Sequence, residues 1–427
     1  MKIAIIGAGI SGLTAARQLD QEHELTIFEG NDYLGGHTHT VDVAVQGRSY
    51  AIDTGFIVFN DWTYPNFINL LDQLGVAARP TTMSFSVHSE RTGLEYNGEN
   101  LNTLFAQRRN LFRPSFHRMI RDILRFNREA PALLDNNRSI SLNGYLRERA
   151  YSREFIEHYI LPMAAAIWSA EPDLMGEMPV RFFVQFFKNH GLLSVNDRPQ
   201  WRVIQGGSRS YIEPLIAPFR HRIRLNCPVE WVRRHPNHVH VKPRHGAVER
   251  FDQVVLATHS DQALRLLADP TPMEREILGA IPYQDNEAVL HTDIGLLPRR
   301  KRAWAAWNYY LPTQPQARVA VTYNMNLLQG LDAPETFCVT LNRSEAIDPA
   351  RILYRTVYHH PVFTEAGVQA QARRDEISGV NRTWYCGAYW SYGFHEDGVN
   401  SGLAVGSGLL DQWVDGALSS EPQQVAA

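Results

Sequence analysis

The chain has 427 residues, 44% hydrophobic and 20% charged, which is typical of a globular protein and too apolar for a disordered one. At about 150 residues per domain, this length predicts two to three domains. Its 42 Lys and Arg residues nearly balance 45 Asp and Glu residues, and the formal charge of -3 excludes a strongly basic, dedicated nucleic-acid-binding protein. The three cysteines are scattered, with no CxxC pair, which excludes a disulfide scaffold and a zinc ribbon.

The N-terminus begins with a short apolar run, residues 3–6, that ends at Gly7. This run predicts a buried parallel strand and not a signal peptide, which needs a longer apolar stretch. A run of 18 consecutive apolar residues does not occur in the sequence, so we expect no transmembrane helix and a cytoplasmic location.

A glycine-rich turn follows this strand. Gly7, Gly9 and Gly12 fit the pattern G-x-G-x-x-G, with Ser11 inside it. In this pattern the first glycine allows a tight turn, the second lets a pyrophosphate approach, and the third lets the next helix pack closely. A predicted helix (13–21) and a second strand (24–28) lead to Glu29, whose carboxylate can bind both ribose hydroxyls of an adenosine. The segment therefore predicts a dinucleotide site for FAD or NAD, in preference to NADP.

Two further segments distinguish FAD from NAD: Gly35-Gly36-His37 and the Asp-x-Gly segment that contains Gly55 and Phe56. They resemble the superfamily of amine oxidases, protoporphyrinogen oxidases and phytoene desaturases. The resemblance implies that the glycine pair lies against the pyrophosphate of a non-covalently bound FAD. In that family an arginine usually follows the pair, whereas this chain has His37, which donates fewer hydrogen bonds and carries a charge only when protonated.

The resemblance continues in the middle of the chain, at the glycine turn of 201–210 and the β-rich run of 251–258. It implies that the backbone of Val229 meets the adenine ring. We therefore predict an α/β fold with two discontinuous domains. The first is a Rossmann-type, glutathione reductase-like FAD-binding domain of residues 1–75, 201–270 and 376–427. The second is an α+β substrate domain on a mixed sheet, of residues 76–200 and 271–375, with strands at 288–291, 303–310, 319–323 and 337–341.

The C-terminal segment 383–402 resembles the closing signature of the same superfamily. A strand ends at Gly387, and the Asp397-Gly398 turn is expected to open a small-residue helix near Gly398 that includes Val399. The partial positive charge of a helix N-terminus at the flavin would stabilise its reduced, anionic ring. Two departures weaken an amine oxidase assignment: Ala388 replaces a frequent acid, and segment 286–290 lacks the lysine that amine oxidases place near the flavin.

The candidates for catalysis lie just before this helix. Aromatic residues there can form a substrate wall or can simply be core residues. His395 is the nearest acid–base group and Glu396 the next, although a solvated turn explains either equally well. The predicted catalytic residues are His395, Glu396, Tyr389 and Tyr392, and Phe56 is a candidate for a second wall.

Residues 105–128 carry seven arginines between Arg108 and Arg128, with apolar residues at helical spacing. A basic amphipathic helix can lie on an anionic membrane surface. The alternative is the solvated face of an ordinary helix.

Pairs of histidines occur at 37/39, 238/240 and 359/360, but none has a third ligand at a recognisable spacing. The sequence therefore predicts no metal site. Cys386 falls within a predicted buried strand, which argues against a covalent cysteinyl flavin.

The sequence thus predicts an FAD-dependent oxidoreductase that takes a hydride from a largely apolar substrate, an acyl lipid or polyene, to form a double bond. The alternatives are a flavin amine oxidase, a redox-neutral flavin isomerase, and a non-enzymatic FAD-binding partner of a lipid-modifying enzyme. The electron acceptor and the oligomeric state stay open.

Overall fold

The structure is a computed structural model that describes residues 1–135, 139–314 and 318–420. Its strands are β1 (Lys2–Ile6), β2 (Glu24–Phe28), β3 (Thr40–Val45), β4 (Arg48–Asp53), β5 (Val58–Asn60), β6 (Ala78–Thr81), β7 (Phe85–Ser89), β8 (Leu94–Asn97), β9 (Trp201–Ile204), β10 (Ile223–Arg224), β11 (Val229–His235), β12 (His238–Pro243), β13 (Glu249–Phe251), β14 (Gln253–Leu256), β15 (Tyr283–His291), β16 (Trp307–Leu311), β17 (Ala320–Asn324), β18 (Cys338–Leu341), β19 (Ile352–Pro361) and β20 (Thr383–Tyr385).

The α-helices are α1 (Ile10–Leu19), α2 (Pro65–Leu74), α3 (Leu101–Leu104), α4 (Pro114–Glu129), α5 (Leu142–Glu148), α6 (Arg153–Phe155), α7 (Leu161–Trp168), α8 (Pro172–Glu177), α9 (Val180–Asn189), α10 (Ile212–Ile216), α11 (Ser260–Leu266), α12 (Pro272–Gly279), α13 (Met325–Gln329), α14 (Glu365–Gln371) and α15 (His395–Ser420). Among the described residues, no helix is long and apolar enough to cross a bilayer.

A five-stranded parallel sheet in the order β10-β2-β1-β14-β20 forms one half of the molecule. Ile3 and Ile5 of β1 point towards α1, α10 and α15, whereas Ala4 and Ile6 point towards β11, β12 and α12. Because both faces are covered, the strands of such a sheet are apolar at nearly every position, which explains the uninterrupted apolar run of residues 3–6.

A seven-stranded mixed sheet in the order β19-β15-β18-β17-β16-β7-β8 forms the other half. Its pairs are antiparallel except for β7 with β16, which joins the segment around residue 87 to the segment around residue 309. Aromatic side chains of α4 and α9, among them Phe126 and Phe183, share a core with strand residues such as Val321.

The predicted fold class is confirmed: a parallel dinucleotide-type sheet is combined with a second, mixed α+β unit. The parallel sheet takes its strands from residues 2–28, 223–256 and 383–385, and the mixed sheet takes its strands from 85–97 and 283–361. The exact domain boundaries stay predictions, and residues 421–427 of the last segment lie outside the described residues. The strand expected at 303–310 begins only at Trp307, because residues 301–303 form a 3-10 turn.

Candidate functional site

A cavity of about 970 Å³ lies where the carboxyl ends of β1, β2 and β14 face the seven-stranded sheet. Open α/β sheets bind ligands at this edge, and the volume is at the upper end of the range for ligand pockets. The cavity therefore has the position and the size for a dinucleotide together with a substrate.

The glycine turn after β1 forms one wall of this cavity. Gly7 has a φ of +106°, which side-chain-bearing residues rarely adopt. A Cβ on Gly9 would have nothing within 4 Å, so this position leaves space for a ligand, whereas a Cβ on Gly12 would lie 2.1 Å from the Gly7 carbonyl oxygen. Gly35 and Gly36 line the cavity beside Gly9, and Gly35 is bridged to it. Ser11 also lines the cavity. Gly12 is not part of the described lining, and its missing side chain allows α1 to pack closely on the turn.

Glu29 lies at the carboxyl end of β2 with its side chain in the cavity wall. Its carboxylate accepts hydrogen bonds from the backbone N–H groups of Ala8 and Asn31, each at 2.9 Å. Val229 and Cys227 line the same region. A fixed carboxylate between two strand ends fits the recognition of ribose hydroxyls.

His37 lies where the resemblance implies an arginine. Its Nε2 is buried and has no hydrogen-bond partner among the described residues, although the residue as a whole is half-buried. The rings of His259, His360 and Tyr358 surround it, with centroids 5.1 to 5.8 Å away. Burial lowers the pKa of His37 to about 4 and the pKa values of His259 and His360 to about 3, so all three are neutral at pH 7.

An unpartnered ring nitrogen, an open glycine turn and a fixed carboxylate together fit a dinucleotide cofactor. The cavity wall beside the glycine turn, however, carries neutral imidazoles where the resemblance implies the fixed positive charge of an arginine. Sequence reasoning considered the pair 359/360 only as metal ligands and missed His259, because residues more than 200 positions apart leave no spacing signal.

Gly55 and Phe56 also line the cavity. The backbone N–H of Phe56 donates to the His37 carbonyl at 2.7 Å, and a Cβ on Gly55 would lie 2.2 Å from that oxygen. The preceding Asp53 is buried and accepts hydrogen bonds from Thr40 and Ser208 at 2.6 to 2.9 Å. Burial raises the pKa of Asp53 to about 6. The Asp-x-Gly segment thus holds the glycine turn of 206–207 against the cavity wall.

The helix α15 begins at His395, three residues before the predicted start at Gly398. The ring of His395 stacks on Phe56 with centroids 3.6 Å apart. Its Nε2 lies 2.8 Å from the Tyr211 hydroxyl and 3.1 Å from the Thr38 hydroxyl. Burial lowers the pKa of His395 to about 3, so the structure presents a neutral, oriented imidazole at the cavity.

The residues after His395 do not belong to the described lining of the cavity. Glu396 accepts hydrogen bonds from the backbone N–H groups of Asn66 and Phe67 at 3.0 and 2.8 Å, and so caps α2. Asp397 accepts a hydrogen bond from the Phe394 N–H at 2.9 Å. The cofactor contacts expected of Asp397, Gly398 and Val399 stay predictions; in the structure a Cβ on Gly398 would lie 2.7 Å from Ile10 of α1.

The aromatic residues before α15 have separate positions. Tyr389 touches the cavity beside Gly387, but its ring is buried in the core with Trp390. Tyr392 lines the cavity and packs on Phe182 of α9 with centroids 4.6 Å apart. Sequence reasoning missed further wall residues that come from distant elements: Ile167, Trp168, Trp307, Tyr323, Leu341 and Phe363.

Charge is unevenly distributed around the cavity. Apart from histidines, the described lining residues with a formal charge are Glu29, Glu230, Arg244 and Arg265, which lie on β2, β11 and the segments after β12 and β14. The described lining from α7, from β16–β19 and from the segment 387–395 carries no carboxylate, lysine or arginine. One half of the cavity therefore carries charged side chains and the other carries none, although β19 adds polar groups such as Thr356 and His360 to the uncharged half.

At the hairpin of β11 and β12 the structure places a third histidine beside the pair 238/240. The structure brings His235 beside His238 and His240, with one ligand atom of each within 4.8 Å of the others. His235 and His238 are direct cross-strand partners, which spacing within one strand did not reveal.

The fold and the charged half of the cavity are those of a dinucleotide-binding protein. The family model for flavin containing amine oxidoreductases matches residues 10–290, about two thirds of the chain. A Mycobacterium tuberculosis protein named as a flavin-containing monoamine oxidase, AofH, is 26% identical over 290 residues, which are 65% of this chain and 61% of that protein. The zeta-carotene desaturase of Solanum lycopersicum is 41% identical over 76 residues, 18% of this chain and 12% of that protein.

Among solved structures, the cyclohexylamine oxidase from Brevibacterium oxydans has a similar fold, with a TM-score of 0.68 at 17% identity, covering 96% of this chain and 99% of that one. The chain spans about 60% of the length of AofH. It belongs to the flavin-containing amine oxidoreductase family.

Proposed function

We propose that the protein binds FAD non-covalently and oxidises a largely apolar substrate, an acyl lipid or a polyene, at a C–H bond to leave a double bond. The bound flavin supplies the hydride acceptor. The proposed FAD site comprises the glycine turn, Glu29, His37 and Val229. Burial raises the pKa of the Cys386 thiol to about 12, which keeps it protonated and supports a non-covalent cofactor.

The observation that carries the substrate class is the uncharged half of the cavity. A charged partner favours the binding of an ammonium group, usually a carboxylate, and of an amino acid's carboxylate, usually an arginine, because an unpaired buried charge is costly. Trp307, Tyr323 and Leu341 offer apolar surface instead. Such a wall favours a hydrocarbon chain by about 0.8 kcal/mol for each buried CH₂.

His395 is the proposed proton acceptor. Formation of a double bond from two adjacent C–H bonds releases one hydride and one proton, so a base is needed beside the substrate. The neutral ring of His395 has one nitrogen lone pair that can accept a proton, and the hydroxyls of Thr38 and Tyr211 hold the ring through Nε2. The Tyr211 hydroxyl can share the proton, because it is hydrogen-bonded to His395.

Amine oxidation is the second candidate. The name of the Mycobacterium tuberculosis relative supports it. Tyr392 and Phe394 line the cavity, and aromatic faces can bind an ammonium group.

Anaerobic mixing of the FAD-loaded protein with candidate substrates tests the proposal. We expect acyl lipids or polyenes to bleach the flavin absorbance and to yield a product with two hydrogen atoms fewer. Bleaching by primary amines without any reaction of acyl lipids or polyenes contradicts the proposal, as does a product of unchanged mass formed with reduced flavin. Flavin that none of these substrates bleaches would favour a non-enzymatic role.

A pair of tryptophan variants makes this test specific to the cavity. Trp307→Ala removes part of the apolar wall and is expected to lower kcat/KM for the apolar substrate about tenfold, since one lost aromatic contact is of the order of 1.4 kcal/mol. Trp62→Ala is the control, because Trp62 is 44% exposed and lies outside the described lining. Equal losses in both variants would mean that the cavity wall does not bind substrate.

We also propose that the turn of residues 108–113 contacts an anionic lipid surface. Phe116, Met119 and Phe126 of α4 are buried in the core, so most of the apolar face of this helix is covered. The preceding turn, in contrast, exposes 87% of Phe112 and 45% of Leu111. Arg108 and Arg109 flank them and donate to backbone carbonyl oxygens, and neither has an ion-pair partner among the described residues.

Exposed aromatic and cationic side chains together are typical of a peripheral membrane contact. We expect Phe112→Ala to reduce co-sedimentation with vesicles that contain anionic phospholipid. Val195→Ala, at a side chain that is 61% exposed elsewhere, is expected to leave it unchanged. Equal sedimentation of the wild-type protein with zwitterionic and anionic vesicles would contradict the electrostatic part of the proposal.

A further inference from the structure

Three histidines converge on one face of the small sheet β11-β12-β13, outside the described lining of the large cavity. His235 and His238 are paired across the β11–β12 hairpin, and His240 is two residues further along β12. Residues at these positions point to the same side of a sheet. The opposite side carries Val239 and Val241, which are fully buried, so the histidines lie on the outer face.

The ring contacts bring the potential ligand atoms together. The three ring centroids are 4.4 to 4.7 Å apart. Nε2 of His238 and Nε2 of His240 are 3.2 Å apart, close to the roughly 3.3 Å between two nitrogens that bind Zn²⁺ at 2.0–2.1 Å in a tetrahedral site. One ligand atom of His235 lies within 4.8 Å of a ligand atom of each of the others.

Two hydrogen-bond features indicate which nitrogens are available. Nδ1 of His238 lies 2.7 Å from the side-chain oxygen of Asn237, an acceptor, so Nδ1 carries the proton and Nε2 has the free lone pair. A metal-binding histidine commonly donates its second ring N–H to a carbonyl oxygen in this way. Nε2 of His235 is buried and has no hydrogen-bond partner among the described residues.

Positive charge beside the cluster limits which cations can bind. Arg233 and Arg250 are the cross-strand partners of His240, and the side chain of Arg382 donates to the Pro236 carbonyl oxygen. These cations oppose a weakly bound Mg²⁺ or Ca²⁺, which also prefer oxygen ligands. A metal with a strong affinity for imidazole, such as Zn²⁺, Ni²⁺ or Cu²⁺, can overcome this repulsion.

We propose that His235, His238 and His240 form a transition-metal site that uses one imidazole nitrogen from each residue and leaves the fourth position to water or an anion. The site is separate from the proposed flavin chemistry and does not depend on it. Metal binding through both Nε2 atoms moves the proton between them from His240 Nε2 to water or to Nδ1 of the same ring. Asn237 acts as a positioning residue, because it holds the ring of His238.

The site is tested by equilibrium dialysis. The FAD-loaded protein is first treated with a chelator and is then dialysed against Zn²⁺ and, separately, against Mg²⁺. We expect about one Zn²⁺ per chain, no stoichiometric Mg²⁺, and loss of the Zn²⁺ in both His238→Ala and His240→Ala. His245→Ala is the matched control, because His245 is an exposed histidine on the turn after β12. The His245→Ala variant is expected to bind Zn²⁺ like the wild-type protein.

Asn237→Ala provides a test that keeps all three ligands. Loss of the hydrogen bond to a ligand typically weakens metal binding 10- to 100-fold, and we expect a change of that size. The flavin spectrum of each variant reports whether the chain is folded. No stoichiometric Zn²⁺ in the wild-type protein, or stoichiometric Zn²⁺ retained by His238→Ala and His240→Ala, would overturn the proposal.

Discussion

Glu29 has the most completely defined environment of the proposed cofactor residues. Two backbone N–H groups fix its carboxylate at the strand end, so its orientation does not depend on a bound ligand. Its distance from Gly7 in the sequence made it predictable, since both lie within a single β-α-β unit. The contacts of His395 were not predictable, because Tyr211 and Thr38 are 184 and 357 positions away from it.

Glu29→Gln is expected to weaken FAD binding about 10- to 100-fold. The neutral amide loses a charge-assisted hydrogen bond worth about 1.5–3 kcal/mol, and its NH₂ group opposes one of the two backbone N–H donors. Titration of the deflavinated protein with FAD, followed by quenching of flavin fluorescence, measures the change. Glu22→Gln, at an exposed acid on the same segment, should retain wild-type affinity. Equal affinities of the two variants would exclude Glu29 as a ribose ligand.

At the scale of elements, the contact between α1 and α15 depends on glycines. A Cβ on Gly402 would lie 2.4 Å from the backbone oxygen of Ser11, and a Cβ on Gly398 would lie 2.7 Å from Ile10. The sequence predicted a small-residue helix here, but a local motif does not reveal the neighbouring helix against which its glycines pack. Tertiary contacts also explain why α15 begins at His395 and not at Gly398. Phe56 and Tyr211 hold the ring of His395 at the first turn of the helix.

Gly402→Ala is expected to destabilise the protein by about 1–3 kcal/mol, since the added methyl group meets backbone that cannot rotate away. Thermal unfolding followed by circular dichroism measures the effect as a lower Tm. Gly279→Ala is the control, because Gly279 ends α12 and a Cβ there would have its nearest contact at 3.7 Å. Its Tm should be unchanged or slightly higher, given the greater helix propensity of alanine. A Tm for Gly402→Ala equal to that of the control would contradict the close-packing argument.

For the whole molecule, the sequence predicted the two sheets but not how their side chains meet. Strands were recognisable from apolar runs and turn residues, and the parallel sheet followed from the glycine turn. The cavity arises where distant segments face each other, and it brings His37, His259 and His360 within one cluster of rings. This convergence depends on tertiary packing, and a single sequence contains no pattern that predicts it.

Burial of neutral histidines gives the whole molecule a pH-dependent stability. Burial lowers the pKa values of six histidines to about 3 or 4: His37, His190, His259, His291, His360 and His395. In the unfolded chain these groups bind protons near pH 6.5, so the unfolded state binds more protons between pH 6.5 and about 4. The contribution of these neutral imidazoles to the free energy of unfolding is therefore fully present above pH 6.5 and is lost as the pH falls through this window.

Asp53 and Asp397 act in the opposite direction, because burial raises the pKa of each to about 6 and the folded state then binds the extra proton. The buried histidines outnumber these two carboxyl groups, so unfolding takes up protons near pH 5.5 and the free energy of unfolding falls as the pH is lowered. We expect Tm to be clearly lower at pH 5.5 than at pH 7.5. His291 lies away from the cavity, and His291→Gln should make this difference in Tm smaller by the contribution of one histidine. A Tm that stays constant or rises on acidification would contradict the burial of neutral imidazoles.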